Sequence, residues 1–577
     1  MLPRTVSRPG VRVGEGRGGR SSTTLSEPAP HVVDGRAGSG QDTVERAMPA
    51  RETQGRAWPS SSRHTALALT AILSACTVGP GFTPPKPPEV AAWKDPSAHR
   101  THAPVSPETN PDPKWWDGFN DPVLTAVIEK AIAGNLDLQQ AVLRVVESRQ
   151  GEVTARAAGL PSVNGSGSYV RDQLGLRGLV LSTGVQGEVN APGQPGSPLN
   201  ALYSPINLYQ YGLNASWELD LFGRVRRSEE QAKANTAASI EATNDALVML
   251  EGQVAQAYLQ LRGAQALTAS QQENIRTAQA AYDLTLKRQR QGLTTELDVD
   301  QSRTQLSNFQ AQLPGYEKQA EQAMNRLSVL TGQTPGTLDD MLGPVAPLPK
   351  VPAVIGIGVP SALARRRPDI REAEARLHAA TANVGVATAS FYPDVSLTGN
   401  FGLRALDGSY LTNWASAFYS FGPSVSLPIF QGGRLTAGLR LARAQEAEAA
   451  LAYRGTVLNA LQEVEDALVA YRTDKVARDR LADAVRTGQL TVYLAHDSYS
   501  HGLSDFIQVL DAQRTLTGSR QQLVQADVAL TNDVVGLYNA LGGGWQEDAA
   551  DIEAPVIATA PPVVPAALDS VAAVPPK

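Results

Sequence analysis

No proline occurs between Ile206 and Leu313, or between Ile429 and Ala554. Proline breaks helix interiors, and both stretches are rich in Ala, Gln, Leu and Val, so they permit helices far longer than the roughly 10–14 residues usual in globular domains. The first reads as a helix from about Arg226 to Gln291, roughly 100 Å long at 1.5 Å per residue. The second runs from Arg434 to His501. Each ends at a glycine, Gly292 or Gly502, a residue that readily takes the left-handed conformation closing a helix C-terminus. Thr294 or Thr295, and Ser504, are placed to cap the helices that follow. Two long helical hairpins result, with Pro314-Gly315 expected to bend or break the first return helix.

The hairpins belong to an internal repeat. Gly292-Leu293-Thr294 returns as Gly502-Leu503-Ser504, Val299 as Val509 and Leu306 as Leu516, all at an offset of about 210 residues. Leu221-Phe222-Gly223-Arg224 is echoed by Ile429-Phe430 with Gly433-Arg434, and Pro161-Ser162-Val163 by Pro393-Asp394-Val395. Each half has the order helix, strand, strand, long helix, turn, helix.

The strands are expected at about 162–171 and 208–222 in the first half, and about 394–405 and 418–430 in the second. Tyr209, Tyr211, Leu213, Ala215, Trp217, Leu219 and Leu221 fall on one face of the second strand. Gln210, Gly212, Asn214, Ser216, Glu218 and Asp220 fall on the other, which makes Glu218 and Asp220 candidate lumen-facing charges. Val395, Leu397, Phe401 and Leu403, and then Phe421, Val425, Leu427 and Ile429, repeat the alternation. Strands of this length suit a bilayer, where tilted strands need about 9–11 residues, better than a soluble sandwich. Tyr209, Tyr211, Trp217, Phe421 and Phe430 would supply interfacial aromatic girdles. Four strands cannot close a barrel, and an open sheet edge is forbidden in lipid. Several chains must then share one barrel, three copies giving about twelve strands.

The one cysteine, Cys76, excludes an internal disulfide. It follows a basic residue, Arg63, a short apolar run, Ala66 to Leu73, and two small residues, Ser74 and Ala75, the layout of a secretory signal peptide. Leu73-Ser74-Ala75-Cys76 resembles a bacterial lipobox, which implies cleavage before Cys76 and acylation of its sulfur and its new amine. Thr77, rather than Asp, follows it, which by resemblance to known sorting favours the outer membrane. Residues 1–62 are rich in Gly, Arg and Ser without apolar periodicity and are expected to be absent from the mature protein.

A net charge of −6 argues against nucleic acid as a partner. There is no phosphate-binding loop of the Gly-x-x-x-x-Gly-Lys type. The seven histidines are scattered, and neither His99 with His102 nor His496 with His501 makes a convincing metal site. No catalytic or metal site, and no cofactor beyond the covalent lipid on Cys76, is expected.

Six motifs, in order, carry a family resemblance: Cys76-Thr77-Val78-Gly79-Pro80; Trp115-Trp116-Asp117-Gly118-Phe119; Trp217 through Arg224; Arg366-Arg367-Pro368-Asp369-Ile370; Leu510-Asp511-Ala512-Gln513-Arg514; and Leu541-Gly542-Gly543-Gly544-Trp545. The chain resembles the TolC-like outer-membrane factors, in the lipoprotein, NodT-type branch that serves resistance–nodulation–division efflux pumps. The resemblance implies a mixed α and transmembrane β fold: a homotrimer with a twelve-stranded barrel, four strands per chain, continued by a long α-helical coiled-coil barrel. It implies passive export of small molecules, with a periplasmic adaptor at the hairpin tips (Gly292, Leu293, Thr294, Gly502, Leu503 and Ser504) and an inner-membrane pump supplying energy. It also implies a periplasmic gate at Ile507, Asp511 and Arg514, whose acid and base have uncharged counterparts, Gln301 and Thr304, in the first repeat.

The expected organisation is a signal peptide with N-terminal extension (1–75), an anchor and extended segment (76–118), repeat one (119–335), a Pro-rich equatorial linker (336–360), repeat two (361–545) and a disordered tail (546–577). A Gly/Pro-rich loop at roughly 172–205 sits where extracellular barrel loops occur. Two other functions fit parts of the pattern. A protein-secretion duct shares the fold, but such family members usually lack the lipobox. A trimeric adhesin places its strands at the C-terminus, whereas here they lie inside both repeats. Replacing Cys76 with Ser is predicted to abolish acylation; intact mass of the mature chain decides it, and a lipid-free native N-terminus would refute the anchor.

Overall fold

The computed structural model describes residues 77–86, 90, 92–95, 105–106, 109–173, 182 and 205–545. Cys76, the N-terminal extension, the tail from 546 and nearly all of the expected loop lie outside them. The described strands and α-helices are, in order, β1 (Val105–Ser106), α1 (Pro122–Gly134), α2 (Leu136–Ala157), β2 (Ser162–Asp172), β3 (Ile206–Glu218), α3 (Arg224–Arg290) and α4 (Glu296–Leu330). There follow α5 (Asp339–Leu342), β4 (Ile355–Gly356), α6 (Pro360–Arg366), α7 (Pro368–Ala389), β5 (Asp394–Ala405), β6 (Ala417–Ser426), α8 (Arg434–Ser500) and α9 (Phe506–Ala540).

The repeat is kept in helix length. α3 and α8 are both 67 residues, and α4 and α9 both 35. All four end in the same way, at Gly292, Gly332, Gly502 and Gly542, each with φ between 67° and 73°. After α3, Leu293 N donates to Arg288 O at 2.8 Å and Gly292 N to Gln289 O at 2.9 Å; after α8, Leu503 N donates to Ser498 O and Gly502 N to Tyr499 O. This paired arrangement satisfies orphan carbonyls of the last turn and reverses the chain. The return helices start differently from expectation. Their N-cap residues are Thr295 and Asp505, neither of which caps with its side chain. The Thr294 hydroxyl instead reaches the Asp298 carboxylate. Pro314 does not break α4, which continues through it. Proline removes one ladder bond, while α4 lies along α3 both before and after that point: Gln271 Nε2 donates to Phe309 O, and Leu327 is fully buried in the main core.

β2, β3, β5 and β6 form one antiparallel sheet in that order, and β1 and β4 a short parallel pair. The register keeps the two faces chemically separate. Leu213 pairs with Phe401 and Gly165, Trp217 with Leu397, and Phe401 with Tyr419. On the other face Asn214 pairs with Asn164 and Asn400, Gln210 with Arg404, and Asn400 with Ser420. Hydrogen bonds tie the polar face together, from Asn214 to Ser166, Arg404 to Gln210 and Ser420 to Asn400. Among the described residues nothing covers the apolar face: Tyr419 is 74% exposed and Phe421 81%. Two strands stop earlier than the alternation suggests. β6 ends at Ser426, so Leu427 and Ile429 lie beyond it, where Pro428 has no N–H for a ladder. β3 ends at Glu218, so Leu219, Asp220 and Leu221 are not on the strand.

The main core lies where α1, α3, α8 and α9 converge with Trp93, Trp115, Trp116 and Phe119. Helix α1 starts there because the Asp121 carboxylate accepts from Val123 N and Leu124 N, while Asp121 also takes the Tyr258 hydroxyl at 2.7 Å.

Leu213→Arg places a cation on the bare apolar face and is predicted to impair assembly in the outer membrane, by roughly 2–4 kcal/mol if at mid-bilayer. Asn214→Arg, on the hydrogen-bonded face, should be milder. Heat-modifiable oligomer on gels measures both, and equal tolerance would contradict the facing of the strands.

Candidate functional site: hairpin tips, gate helix and helix splice

At the tips, Leu293 and Leu503 are 63% and 81% exposed beside Gly292 and Gly502, so each turn presents a bare leucine. The Ser504 Oγ is buried without a hydrogen-bond partner. Just above, Tyr499, Phe506, Val509 and Leu510 form a small core with Ala281 of α3. Arg288, in the last turn of α3, closes this core from outside. Its guanidinium lies 4.7 Å from the Tyr499 ring centroid and Nη1 donates to Tyr499 O at 3.2 Å. One hairpin thus satisfies a terminal carbonyl of the other's long helix.

Ile507 and Asp511 are exposed on α9. Arg514 does not pair with Asp511 among the described residues; its Nε donates to Gln305 Oε1 of α4 at 2.9 Å. About two turns further, Gln521 donates to the Tyr316 hydroxyl at 2.9 Å. The two return helices are therefore tied by neutral acceptors. Gln305 and Tyr316 carry no signal in the sequence, because each contact joins residues about 205–209 apart. His501 Nδ1 lies 2.9 Å from Asp497 O in its own helix, and no group of His, Cys, Asp or Glu among the described residues is suited to a metal.

Glu218 and Asp220 are each bound to an arginine in the first turn of α3. Glu218 binds Arg224, with Nε to Oε1 at 3.0 Å. Asp220 accepts from Val225 N and Arg226 N at 3.1 and 3.0 Å and from Arg226 Nε at 3.2 Å. It caps α3, whose own N-cap is Gly223 with no side chain to offer.

The model of outer membrane efflux proteins matches residues 127–333 and 359–543. The chain belongs to that family. Among its relatives are the toluene efflux pump outer membrane protein TtgC of Pseudomonas putida, 33% identical over 491 residues, which cover 83% of this chain and 95% of the relative. Outer membrane protein OprJ of Pseudomonas aeruginosa is 31% identical over 494 residues, covering 84% and 96%. Of solved structures, the outer-membrane channel OprN superposes with a TM-score of 0.71 at 33% identity, covering 82% of this chain and all of that one.

In this efflux protein, motifs far apart in sequence converge where α9 ends and α7 begins. Arg367, at the N-cap of α7, donates to Ala540 O of α9 at 2.8 Å, to Glu463 of α8 at 2.6 Å and to Asp369 at 2.7 Å. Burial opposes its charge, but Asp369 and Glu463 outweigh burial and hold the guanidinium above its ordinary value. Trp545 Nε1 donates to Arg366 O at 2.9 Å, with Arg371 4.7 Å from its ring. Trp115 stacks on Tyr538, 5.4 Å between centroids. Gly542 leaves no room for a side chain, since a Cβ there would lie 2.9 Å from Arg367 Cγ. Together these residues splice α9 end-on to α7, so that α3 and α8 keep a neighbour along their length.

Beside the splice is a cavity of about 730 Å³ lined by Asp245, Asp369, Glu463, Asp466 and Asp533 among others. Burial, then the neighbouring Asp369, pushes Asp245 up to about 6; burial, then Asp474, does the same to Asp533. Both bind a proton more readily folded than unfolded, where an aspartate titrates near 3.8. They therefore favour the folded state below pH about 4, and that contribution is lost as pH rises through about 6. Asp245→Asn with Asp533→Asn is predicted to flatten this part of the stability profile. Melting temperatures of parent and double variant across pH about 4 to 7 test it, and parallel profiles would refute it.

Proposed function

We propose that three copies of this chain form one continuous duct across the outer membrane and into the periplasm, the exit component of a tripartite efflux pump. That the protein is an outer-membrane efflux component follows from its family; the assembly, gate and anchor are the proposal. The observation that carries it is the four-stranded sheet. It has one bare apolar face, one hydrogen-bonded polar face and unpaired edges at β2 and β6 among the described strands. In a bilayer those edges must be paired, and copies of the same sheet pair them while turning the apolar faces to lipid and the polar faces, with Glu218, to the lumen. The paired long helices continue the wall as a tunnel, and a polar wall passes drugs and other toxic small molecules without a catalytic step.

The acyl chains on Cys76 hold the protein to the outer membrane. At the far end, the bare Leu293 and Leu503 with Gly292, Thr294, Gly502 and Ser504 dock a periplasmic adaptor, and an inner-membrane pump supplies the energy. Ile507, Asp511 and Arg514 narrow the tunnel. The bond from Arg514 to Gln305 holds α9 against α4 in the closed state, threefold symmetry sets three exposed Asp511 around the axis, and adaptor docking releases the helices.

Asp511→Ala with Arg514→Ala is predicted to raise the single-channel conductance of purified trimer in planar bilayers at unchanged expression. Conductance equal to the parent's, with trimer verified, would sink the gate while leaving the duct. In a strain lacking the gene, the parent chain should restore tolerance to exported compounds.

A further inference from the structure

The motif behind the anchor, Thr77-Val78-Gly79-Pro80, and the Phe222-Gly223-Arg224 motif at the foot of the sheet have no part in gate or tips, yet the structure brings them together. Three glycines from three separate parts of the chain meet there. Gly79 has φ +96°, and a Cβ on it would lie 2.6 Å from the Gly385 Cα in α7. A Cβ on Gly385 would lie 2.8 Å from Arg227 Cδ, and one on Gly223, at φ +83°, 2.7 Å from Thr77 Cγ2. None of these separations is open to a real side chain, so the backbone of residues 77–79 is seated at a depth that only glycine permits.

Polar contacts hold it there. Val78 N donates to Phe222 O at 3.2 Å, and Arg227 donates from Nε to Val78 O and from Nη2 to Gly79 O, both at 3.4 Å. Arg227 is buried and also binds Glu230 at 2.7 Å. Three residues on, Phe82 lies flat on His378 of α7, 4.3 Å between centroids and 11° between planes. His378 Nε2 is in turn 2.9 Å from Glu230 Oε1 of α3. Burial works against the charge on Glu230, but the hydrogen bonds from His378 and Arg227 outweigh it and hold the carboxyl below its ordinary range. The segment therefore meets α3 of the first repeat and α7 of the second at residues 77–79 and again meets α7 at Phe82.

We propose that residues 77–82 are a docked strap, seated in a groove that Gly223, Gly385 and Arg227 form between α3 and α7, which clips the second repeat onto the first at the foot of the sheet. Its docking does not depend on acylation. Where Cys76 carries lipid, as the proposed function holds, the strap also sets the point at which the acyl chains leave the protein.

The test uses the full chain purified from membranes, with two variants. Gly385→Val fills the groove, and Phe82→Ala removes the stacked end while leaving α3 and α7 intact. In both, cleavage between residues 77 and 86 by a nonspecific protease should quicken about tenfold or more, since docking is what protects that backbone. The oligomer should dissociate at a temperature lower by roughly 5 °C or more. If Gly385→Val does not accumulate, Phe82→Ala decides alone. Protection and dissociation temperature equal to the parent's in Phe82→Ala would overturn the strap. Intact mass separates the two readings: a lipid-free chain whose strap stays protected keeps the strap and removes the anchor.

Discussion

A helix of 67 residues needs a partner along its whole length, because most helical stability in water comes from tertiary packing and not from propensity. α8 obtains its own from two shorter helices laid end to end, α9 and α7, and Arg367 makes the joint, while α3 is lined by α4 and α2 as well. Its guanidinium sits between the last carbonyl of α9, the Glu463 carboxylate of α8 and the Asp369 carboxylate of α7. Three helices meet on one buried cation. Removing one member of such a cluster leaves the others uncompensated, which is typically costlier than the net worth of the pair. Trp115, Tyr538 and Trp545 close the apolar side of the same joint. Three of the motifs that mark the family are accounted for by this single mechanical task.

The sheet is coupled to the helices through charged side chains. Between β3 and α3 the chain passes through Glu218, Asp220 and Gly223, and the acids are consumed in binding Arg224 and capping α3. The strap lies across the same junction. In the proposed duct the sheet lies in lipid and the long helices in water, so the junction is where the two solvents meet, and ion pairs and close glycine contacts gather there.

Toward the tips the packing thins. The main core gives way to two small clusters, one around Phe506 and one around Phe309. The hairpins are joined by single bonds from Arg514 and Gln521 and by Arg288 across the end of α8. Regions with few buried contacts are those that open at low free energy, which suits the gate proposed at this end.

Much of this was legible in the sequence because it is local. The absence of proline and the closing glycines delimited α3 and α8 to within about two residues. Period-two alternation assigned the faces of β3 and β5, because side chains in a strand point alternately whatever surrounds it. The repeat announced that the second hairpin would match the first. Tertiary structure decided what local pattern cannot carry. It ended β3 at Glu218, making Asp220 a helix cap although the alternation ran on through it. It let α4 pass through Pro314, since packing against α3 outweighs one lost ladder bond. It gave Arg514 a glutamine 209 residues away in place of the nearby aspartate. It also gathered Gly79, Gly223 and Gly385 at one crossing. The Asp220 cap is local, reaching 5 and 6 residues along the chain, but the others are contacts between segments that the sequence holds far apart, and composition, periodicity and spacing describe only neighbours.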